Sequence, residues 1–203
     1  PDGYTLFMAS LASHGVNPTL FAKLGYDAVR DFAGVGQMVK TYLYLFVTPS
    51  LPMKTVQELV EYAKARPGRL SYASTGLGSP QHMAGELFKT RFGLDIVHVA
   101  YKGAAQALPD LVSGQMQLMF DATALPLSRE GRVRVVALAD TKRSSIEPDI
   151  PSFADQGVPG FAVNGFFGLV APAKTPVAVL ERLNAVMLRI AAQDETRRRV
   201  AEF

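Results

Sequence analysis

The 203-residue chain is the size of one large domain or two small lobes, and its 48% hydrophobic content is typical of a globular protein with a core. Its net charge of +3 is small and its basic residues are dispersed, so we expect no nucleic-acid partner. The absence of Cys excludes disulfides and thiolate chemistry, and no apolar run is long enough to span a bilayer.

The first half of the chain predicts strands before helices. Residues 4–9 predict a buried strand, residues 10–18 a loop, and residues 32–47 a long β-rich stretch. Thr55 and Glu58 form a capping box, which predicts the start of a helix. The apolar face of that helix is formed by Val56, Leu59, Val60 and Ala63.

The second half alternates short apolar strands with helices. Strands are predicted over residues 70–73, 96–99, 116–120, 133–139 and 166–170. A helix begins after Ser79, ends at Gly93 and carries Met83, Leu87 and Phe88 inward. Another covers residues 104–112 and contains Pro109, and residues 144–160 predict a loop. Thr175 and Pro176 open a last amphipathic helix bearing Leu180, Leu183, Met187 and Ile190.

This alternation indicates an α/β fold of parallel sheets covered by helices on both faces. In such sheets ligands bind beyond the carboxyl ends of the strands. The loops with small polar side chains at that edge are residues 10–14, 74–79, 101–103 and 121–123.

A glycine-rich turn between a strand and a helix is the most informative stretch. Gly76 and Gly78 permit unusual dihedrals, Ser79 is a good N-cap, and Pro80 suits the first helical position. Such a turn leaves several N–H groups unpaired at the positive end of a helix dipole, which predicts a carboxylate or phosphate site. The alternative is a tight turn with a capped helix. The candidate ligand-binding residues here are Ser74, Thr75, Gly76, Gly78 and Ser79, with His82 in the first helical turn.

A set of short motifs runs along the whole chain in order. They are residues 1–6, 17–18, 70–74, 78–80 with His82, 86–88, 97–99, 101–103, 119–121, 142–144, 166–169 and 171–172. Any one of them is weak, but together they resemble the periplasmic solute receptors of tripartite tricarboxylate transporters, often called the Bug family.

The resemblance implies a two-lobed periplasmic binding protein of type II architecture with an incomplete first lobe. Residues 1–40 and 168–203 would form the partial first lobe, and residues 41–167 the second lobe. The family normally begins upstream with two more strand–helix units and continues past residue 203, so both ends look cut and the 203 residues alone are expected to bind weakly or not at all. Two connections between the lobes favour rigid-body closure on the ligand.

The resemblance also implies the function and further site residues. The protein would capture a dicarboxylate, tricarboxylate, amino acid or aromatic acid in the periplasm, without a cofactor, and deliver it to an inner-membrane permease. Additional candidates are Tyr101, Asp121 and Thr123 at the sheet edge, and Ser10 and His14 in a first-lobe loop. Asp121 alternatively caps its own loop, and the loop containing Ser10 is alternatively an ordinary polar one.

The sequence motifs give little support for an enzyme. The sequence has no Gly-x-Ser-x-Gly elbow, no metal-ligand cluster and no nucleotide fingerprint, and no second His lies at a local spacing that would activate Ser74 or Ser79. We therefore predict a binding protein rather than an enzyme. The alternatives are the effector-sensing domain of a transcriptional regulator, a small hydrolase, or a lobe with no independent role.

Overall fold

A computed structural model describes residues 2–201. The chain forms two compact units, one from the residues up to Thr41 together with those from Gly165 onwards, and one over Tyr42–Asn164. Strands and helices alternate through most of the chain, which confirms the expected α/β class. Across residues 2–201, none of the helices combines the length and apolar composition that a bilayer crossing demands.

The first unit contains a three-stranded antiparallel sheet. Its strands are β1 (Phe7–Ser10), β2 (Phe32–Thr41) and β8 (Gly165–Pro172), in the order β1-β8-β2. β1 lies at an edge, so only Ala9 is buried, while Phe7 and Met8 are exposed by 43% and 55%. The prediction of a buried strand over residues 4–9 was therefore wrong in both extent and burial.

The segment predicted as a loop over residues 10–18 is helical instead. A π-helical turn spans Leu11–Val16 and is followed by α1 (Asn17–Leu20). The Ser10 side chain accepts from the Ser13 N–H, and the Ser13 hydroxyl accepts from the Ser10 N–H. This reciprocal cap was missed because Ser13 stands where Glu or Gln usually completes such a box.

Two helices complete the first unit, α6 (Val177–Ala191) and α7 (Asp194–Ala201). α6 packs on β2, where the Asn184 side-chain amide donates to the Val35 carbonyl at 2.7 Å and Met187 is buried. Ile190 is 49% exposed, contrary to its predicted inward position, because it lies near the end of a helix that has a sheet on one side only.

The second unit contains a five-stranded mixed sheet in the order β5-β4-β6-β3-β7. Its strands are β3 (Tyr44–Val47), β4 (Leu70–Ser74), β5 (Ile96–Ala100), β6 (Leu118–Asp121) and β7 (Arg134–Leu138). β4 pairs in parallel with both β5 and β6, whereas β3 is antiparallel to β6 and β7. The prediction of parallel sheets is confirmed for β4, β5 and β6, but it was wrong for β3 and for the antiparallel sheet of the first unit. Short apolar strands of the two kinds look alike in sequence, so the direction of pairing was not visible there.

Helices cover both faces of this sheet, as predicted. They are α2 (Val56–Lys64), α3 (Pro80–Phe92), α4 (Ala104–Ser113) and α5 (Leu125–Arg129). The capping box of α2 is present and its four predicted apolar residues are all buried. In α3 the inward residues are Ala84, Gly85 and Phe88, whereas Leu87 is 38% exposed, contrary to prediction. Gly85 faces the Tyr72 ring, which leaves no room for a larger side chain.

Candidate functional site

Three parallel strands of the second unit end at the same sheet edge. β4 ends at Ser74, β5 at Ala100 and β6 at Asp121. The loops that follow β4 and β5 lead into α3 and α4, and the loop that follows β6 leads into α5. The edge therefore gathers three helix N-termini and most of the candidate side chains of this unit.

The turn after β4 has the backbone that its glycines predict. Gly76 has φ +121° and Gly78 has φ +76°, conformations that other residues rarely adopt. Ser79 caps α3, with its hydroxyl accepting from the His82 N–H at 3.2 Å, and Pro80 occupies the first helical position. We conclude that this turn is built by its glycines and ends in a properly capped helix.

Three N–H groups of the turn have internal partners, contrary to the expectation that they are unpaired. The Gly76 N–H donates to Ser74 Oγ at 3.1 Å, and the Gly78 N–H donates to His82 Nδ1 at 3.2 Å. The Ser79 N–H donates to the Gly76 carbonyl at 3.2 Å. An anion that binds the Gly76 or the Gly78 N–H must therefore replace a serine hydroxyl or an imidazole as acceptor.

A chain of side-chain hydrogen bonds joins the turn to the loop after β6. The Thr75 hydroxyl donates to Gln81 Oε1 at 3.0 Å, and Gln81 Nε2 donates to Asp121 Oδ2 at 2.8 Å. The N–H and the hydroxyl of Thr123 both donate to Asp121 Oδ1 at 2.7 Å. Both Asp121 oxygens thus have partners and the residue is 3% exposed. This arrangement matches the interpretation in which Asp121 organises its own loop.

Gln81 was not singled out from the sequence. It is the second residue of α3, where its side chain can reach back over the turn towards β6. A polar residue just after a capped helix start was the available signal.

His98 on β5 is the second residue that sequence reasoning missed. Its Nε2 lies 2.7 Å from Ser74 Oγ, and its ring centroid lies 4.4 Å from that of His82 and 4.9 Å from that of Tyr72. The search for a histidine used local spacing only, whereas the parallel pairing of Tyr72 with His98 connects residues far apart in sequence. The statement that no second histidine lies at a local spacing from Ser74 still holds, because His98 is 24 residues away in sequence and reaches Ser74 only through strand pairing.

Charged and hydroxyl groups of α3 and β4 surround this histidine pair. The Tyr72 hydroxyl and Lys89 Nζ each lie 2.8 Å from Glu86 Oε1 and donate to it. Desolvation opposes ionisation of Glu86, but hydrogen bonds from Lys89 and Tyr72 outweigh it and hold the pKa of Glu86 below its usual value. Burial, with smaller contributions from His82 and Lys89, lowers the pKa of His98 against the opposing effect of Glu86.

Tyr101 is tied to both β4 and α4. Its N–H donates to the Ser74 carbonyl at 2.9 Å, and its hydroxyl donates to Asp110 Oδ2 at 2.6 Å. Burial and the hydrogen bond to Asp110 raise the pKa of Tyr101 to about 12. α4 starts after Gly103, which has no side chain to cap it. The Tyr101 hydroxyl therefore positions α4, whose first N–H groups lack a side-chain cap.

Ser10 and His14 lie in the first unit. The Ser10 side chain caps the π-helical turn, and His14 Nδ1 lies 3.0 Å from the Ser13 hydroxyl. The His14 ring contacts the rings of Phe7, Tyr26 and Phe32. Its Nε2 is buried with no hydrogen-bond partner among the residues that the structure describes. A role for these two residues in binding stays a prediction.

Residues 2–201 do not bring three His, Asp or Glu side chains together in a group that could hold a metal ion.

Comparisons with known proteins agree with the architecture. Protein BugT from Bordetella pertussis is 31% identical over 90% of this chain and 57% of its own length. The structure described as R. palustris Rpa4515 with adipate is 34% identical with a TM-score of 0.85, covering 99% of this chain and 68% of that one. The structure of MatC (Rpa3494) from Rhodopseudomonas palustris with bound malate is 33% identical with a TM-score of 0.83, covering 97% of this chain and 68% of that one.

The matches cover nearly all of this chain but only part of the length of its relatives. Three curated relatives are covered over 57% to 62% of their own length, so the chain spans less than two thirds of them. The family model described as "Tripartite tricarboxylate transporter family receptor" matches residues 1–202. The resemblance seen in the sequence motifs is thereby confirmed, and the chain belongs to the tripartite tricarboxylate transporter receptor family.

Proposed function

We propose that this chain is part of a periplasmic receptor that captures a small carboxylated solute and delivers it to an inner-membrane permease. Family membership and the adipate and malate in the names of two related structures support the solute class. The observation that carries the proposal is the glycine turn at the N-terminus of α3, placed at the carboxyl edge of three parallel strands. Such an edge is where α/β sheets bind ligands, and helix N-termini favour anions.

The solute carboxylate would take over donors that now have internal acceptors. It would accept from the N–H groups of Gly76 and Gly78, displacing Ser74 Oγ and His82 Nδ1. The uncapped start of α4 would add further N–H groups. Ser10 and His14 of the first unit stay candidate binding residues. Capture then consists of binding without covalent chemistry.

One observation favours a second candidate, a small hydrolase. Ser74 Oγ and His98 Nε2 lie 2.7 Å apart, as in a nucleophile activated by a base. Ser74 is 0% exposed, however, and its oxygen already accepts from the Gly76 N–H. Among residues 2–201, the recorded hydrogen bonds also include no carboxylate that orients His98. A solute could not reach this hydroxyl without opening the turn, so the receptor is the better assignment.

The test compares two glycine variants of the same helix in the full-length protein. Gly76 and Gly93 both have positive φ and both have open space where a Cβ would lie, but Gly93 ends α3 far from the turn. Gly93→Ala costs about 1–2 kcal/mol of backbone strain because Gly93 is in the left-handed α region. Gly76→Ala costs more, since φ +121° is a conformation that residues with a Cβ rarely adopt. Calorimetric titration with malate, adipate, citrate and glutamate should show a loss of about tenfold or more in affinity for Gly76→Ala only.

Three outcomes would contradict the proposal. The first is equal affinity in Gly76→Ala and Gly93→Ala, and the second is the absence of binding for every carboxylate tested. The third is ester turnover that Ser74→Ala abolishes, which would favour the hydrolase. Native mass spectrometry of the purified protein adds an independent measurement, because a co-purified acid would appear as added mass.

A further inference from the structure

Ser74 Oγ links a histidine on the neighbouring strand to the glycine turn. The oxygen lies 2.7 Å from His98 Nε2, 3.1 Å from the Gly76 nitrogen and 3.3 Å from the Gly76 carbonyl oxygen. The hydroxyl proton points to His98 Nε2 or to the Gly76 carbonyl according to the tautomer of His98, and in either case the oxygen accepts from the Gly76 N–H. The hydrogen bond to His98 thus fixes the rotamer of Ser74 that holds Gly76.

His82 holds the second glycine directly. Its Nδ1 accepts from the Gly78 N–H at 3.2 Å, and its ring lies against that of His98 with 4.4 Å between centroids. The His82–His98 pair therefore controls both glycine N–H groups, one directly and one through Ser74. His82 does so with an unprotonated Nδ1, so a proton on that nitrogen would release Gly78, whereas a protonated His98 Nε2 would donate to Ser74 Oγ and turn the hydroxyl proton towards the Gly76 carbonyl.

The groups facing the pair come from α3 and β4. Glu86 and Lys89 lie on α3 and form an ion pair at 2.8 Å, and the Tyr72 hydroxyl on β4 donates to the same carboxylate. The Tyr72 ring also stacks on His98. Lys89 opposes and Glu86 favours a positive charge on His98, while burial disfavours it. These surroundings lower the pKa of His98 and so favour its neutral form.

We propose that His98 is a positioning residue of the turn, and that the His82–His98 pair takes up a proton when a carboxylate occupies it. This inference rests on the proposed function. The carboxylate accepts from the N–H groups of Gly76 and Gly78 in place of their present acceptors. His82 Nδ1 then no longer accepts from the Gly78 N–H, and its free lone pair takes up a proton from the solution. The resulting imidazolium lies beside the bound anion, so the complex holds protons more tightly than the free protein does. Affinity for a carboxylate must then rise as pH falls.

The first experiment needs no ligand. In ¹⁵N-labelled full-length protein, the amide signals of Gly76 and Gly78 should shift together with the His82 and His98 ring signals between about pH 8 and about pH 5.5. In His98→Gln the Gly76 shift should disappear while the Gly78 shift remains. Val97→Gln, a matched change at an exposed position of the same strand, should behave as wild type.

Two results of this experiment would overturn the positioning role. One is a Gly76 amide in wild type that does not respond to pH, and the other is a Gly76 response that His98→Gln leaves unchanged. The pH titration of the wild-type Gly76 amide can refute the proposal without any variant, so the result does not depend on whether His98→Gln is stable.

The second experiment measures the proton directly. Titration calorimetry with malate and with adipate, in two buffers of different ionisation enthalpy, should show proton uptake on binding and a gain of about three- to tenfold in affinity from about pH 8 to about pH 6.5. Binding with no proton exchange and constant affinity would refute the coupling. If neither acid binds at any pH, the proposed function fails for them, while the amide titration still decides the role of His98.

Discussion

Replacing Asp121 tests whether this carboxylate organises the sheet edge or contacts the solute. Three donors converge on it at 2.7 to 2.8 Å, from the Gln81 amide and from the N–H and hydroxyl of Thr123. A buried donor left without an acceptor costs about 1–3 kcal/mol. Thr123 is exposed, so its hydroxyl finds water, and the penalty falls mainly on the other two donors. We therefore expect Asp121→Ala to lower the free energy of unfolding by about 2–4 kcal/mol.

The matched variant is Asp121→Asn. It keeps an oxygen for the Thr123 N–H, and the Gln81 amide can turn over so that its oxygen faces the new amide. In the wild-type structure the Thr75 hydroxyl donates to Gln81 Oε1, and after the amide has turned over this hydroxyl can accept from Gln81 Nε2. We expect a loss of about 1 kcal/mol.

Urea unfolding followed by circular dichroism, with unchanged m-values, measures both losses. The reasoning is refuted if Asp121→Ala lies within about 0.5 kcal/mol of wild type, or if Asn is as damaging as Ala. Carboxylate affinity within about threefold of wild type in Asp121→Asn would fit an organising role, whereas a larger loss would indicate solute contact.

Two further predictions concern the packing and titration of the same region. Gly85→Ala places a Cβ 2.1 Å from the Tyr72 ring, so overpacking of about 1–3 kcal/mol should exceed the roughly 1 kcal/mol gain in helix propensity; a raised melting temperature would contradict this. Burial lowers the pKa of His98 in the folded protein below the value of about 6.5 that it has in the unfolded chain. The stability that His98 contributes is therefore present above about pH 6.5 and is lost as the pH falls below that value, because the unfolded chain then binds a proton more readily. His98→Gln should reduce that pH dependence in unfolding measurements from about pH 7.5 to about pH 5.5, and an unchanged slope would count against it.

The local elements predicted best are those with their own start and stop signals. Three such signals lie where the sequence predicts them: the Thr55 capping box, the Ser79 cap and the end of α3 at Gly93. The two caps need only hydrogen bonds to residues within four positions, and the helix end needs only the positive φ of Gly93. The cap at Ser10 obeys the same physics, but Ser13 as its partner is uncommon enough that the segment was predicted as a loop.

Tertiary pairing decided what those signals do not encode. The antiparallel direction of β3 appears only in its pairing with β6 and β7, and the exposure of Phe7 and Met8 only in the folded unit. Neither is visible in a short apolar run, since such runs look alike in central, edge, parallel and antiparallel strands.

Some features of the candidate site follow from the sequence, and others appear only in the tertiary structure. The sequence by itself determined the family, the glycine turn, the capped start of α3 and the sheet edge at which they lie, because these depend on residue type and local spacing. Only the tertiary structure placed His98 against Ser74 and joined Gln81 to Asp121. These contacts cross 24 and 40 residues, and the pairing of β4 with its neighbours, rather than any local motif, closes those distances.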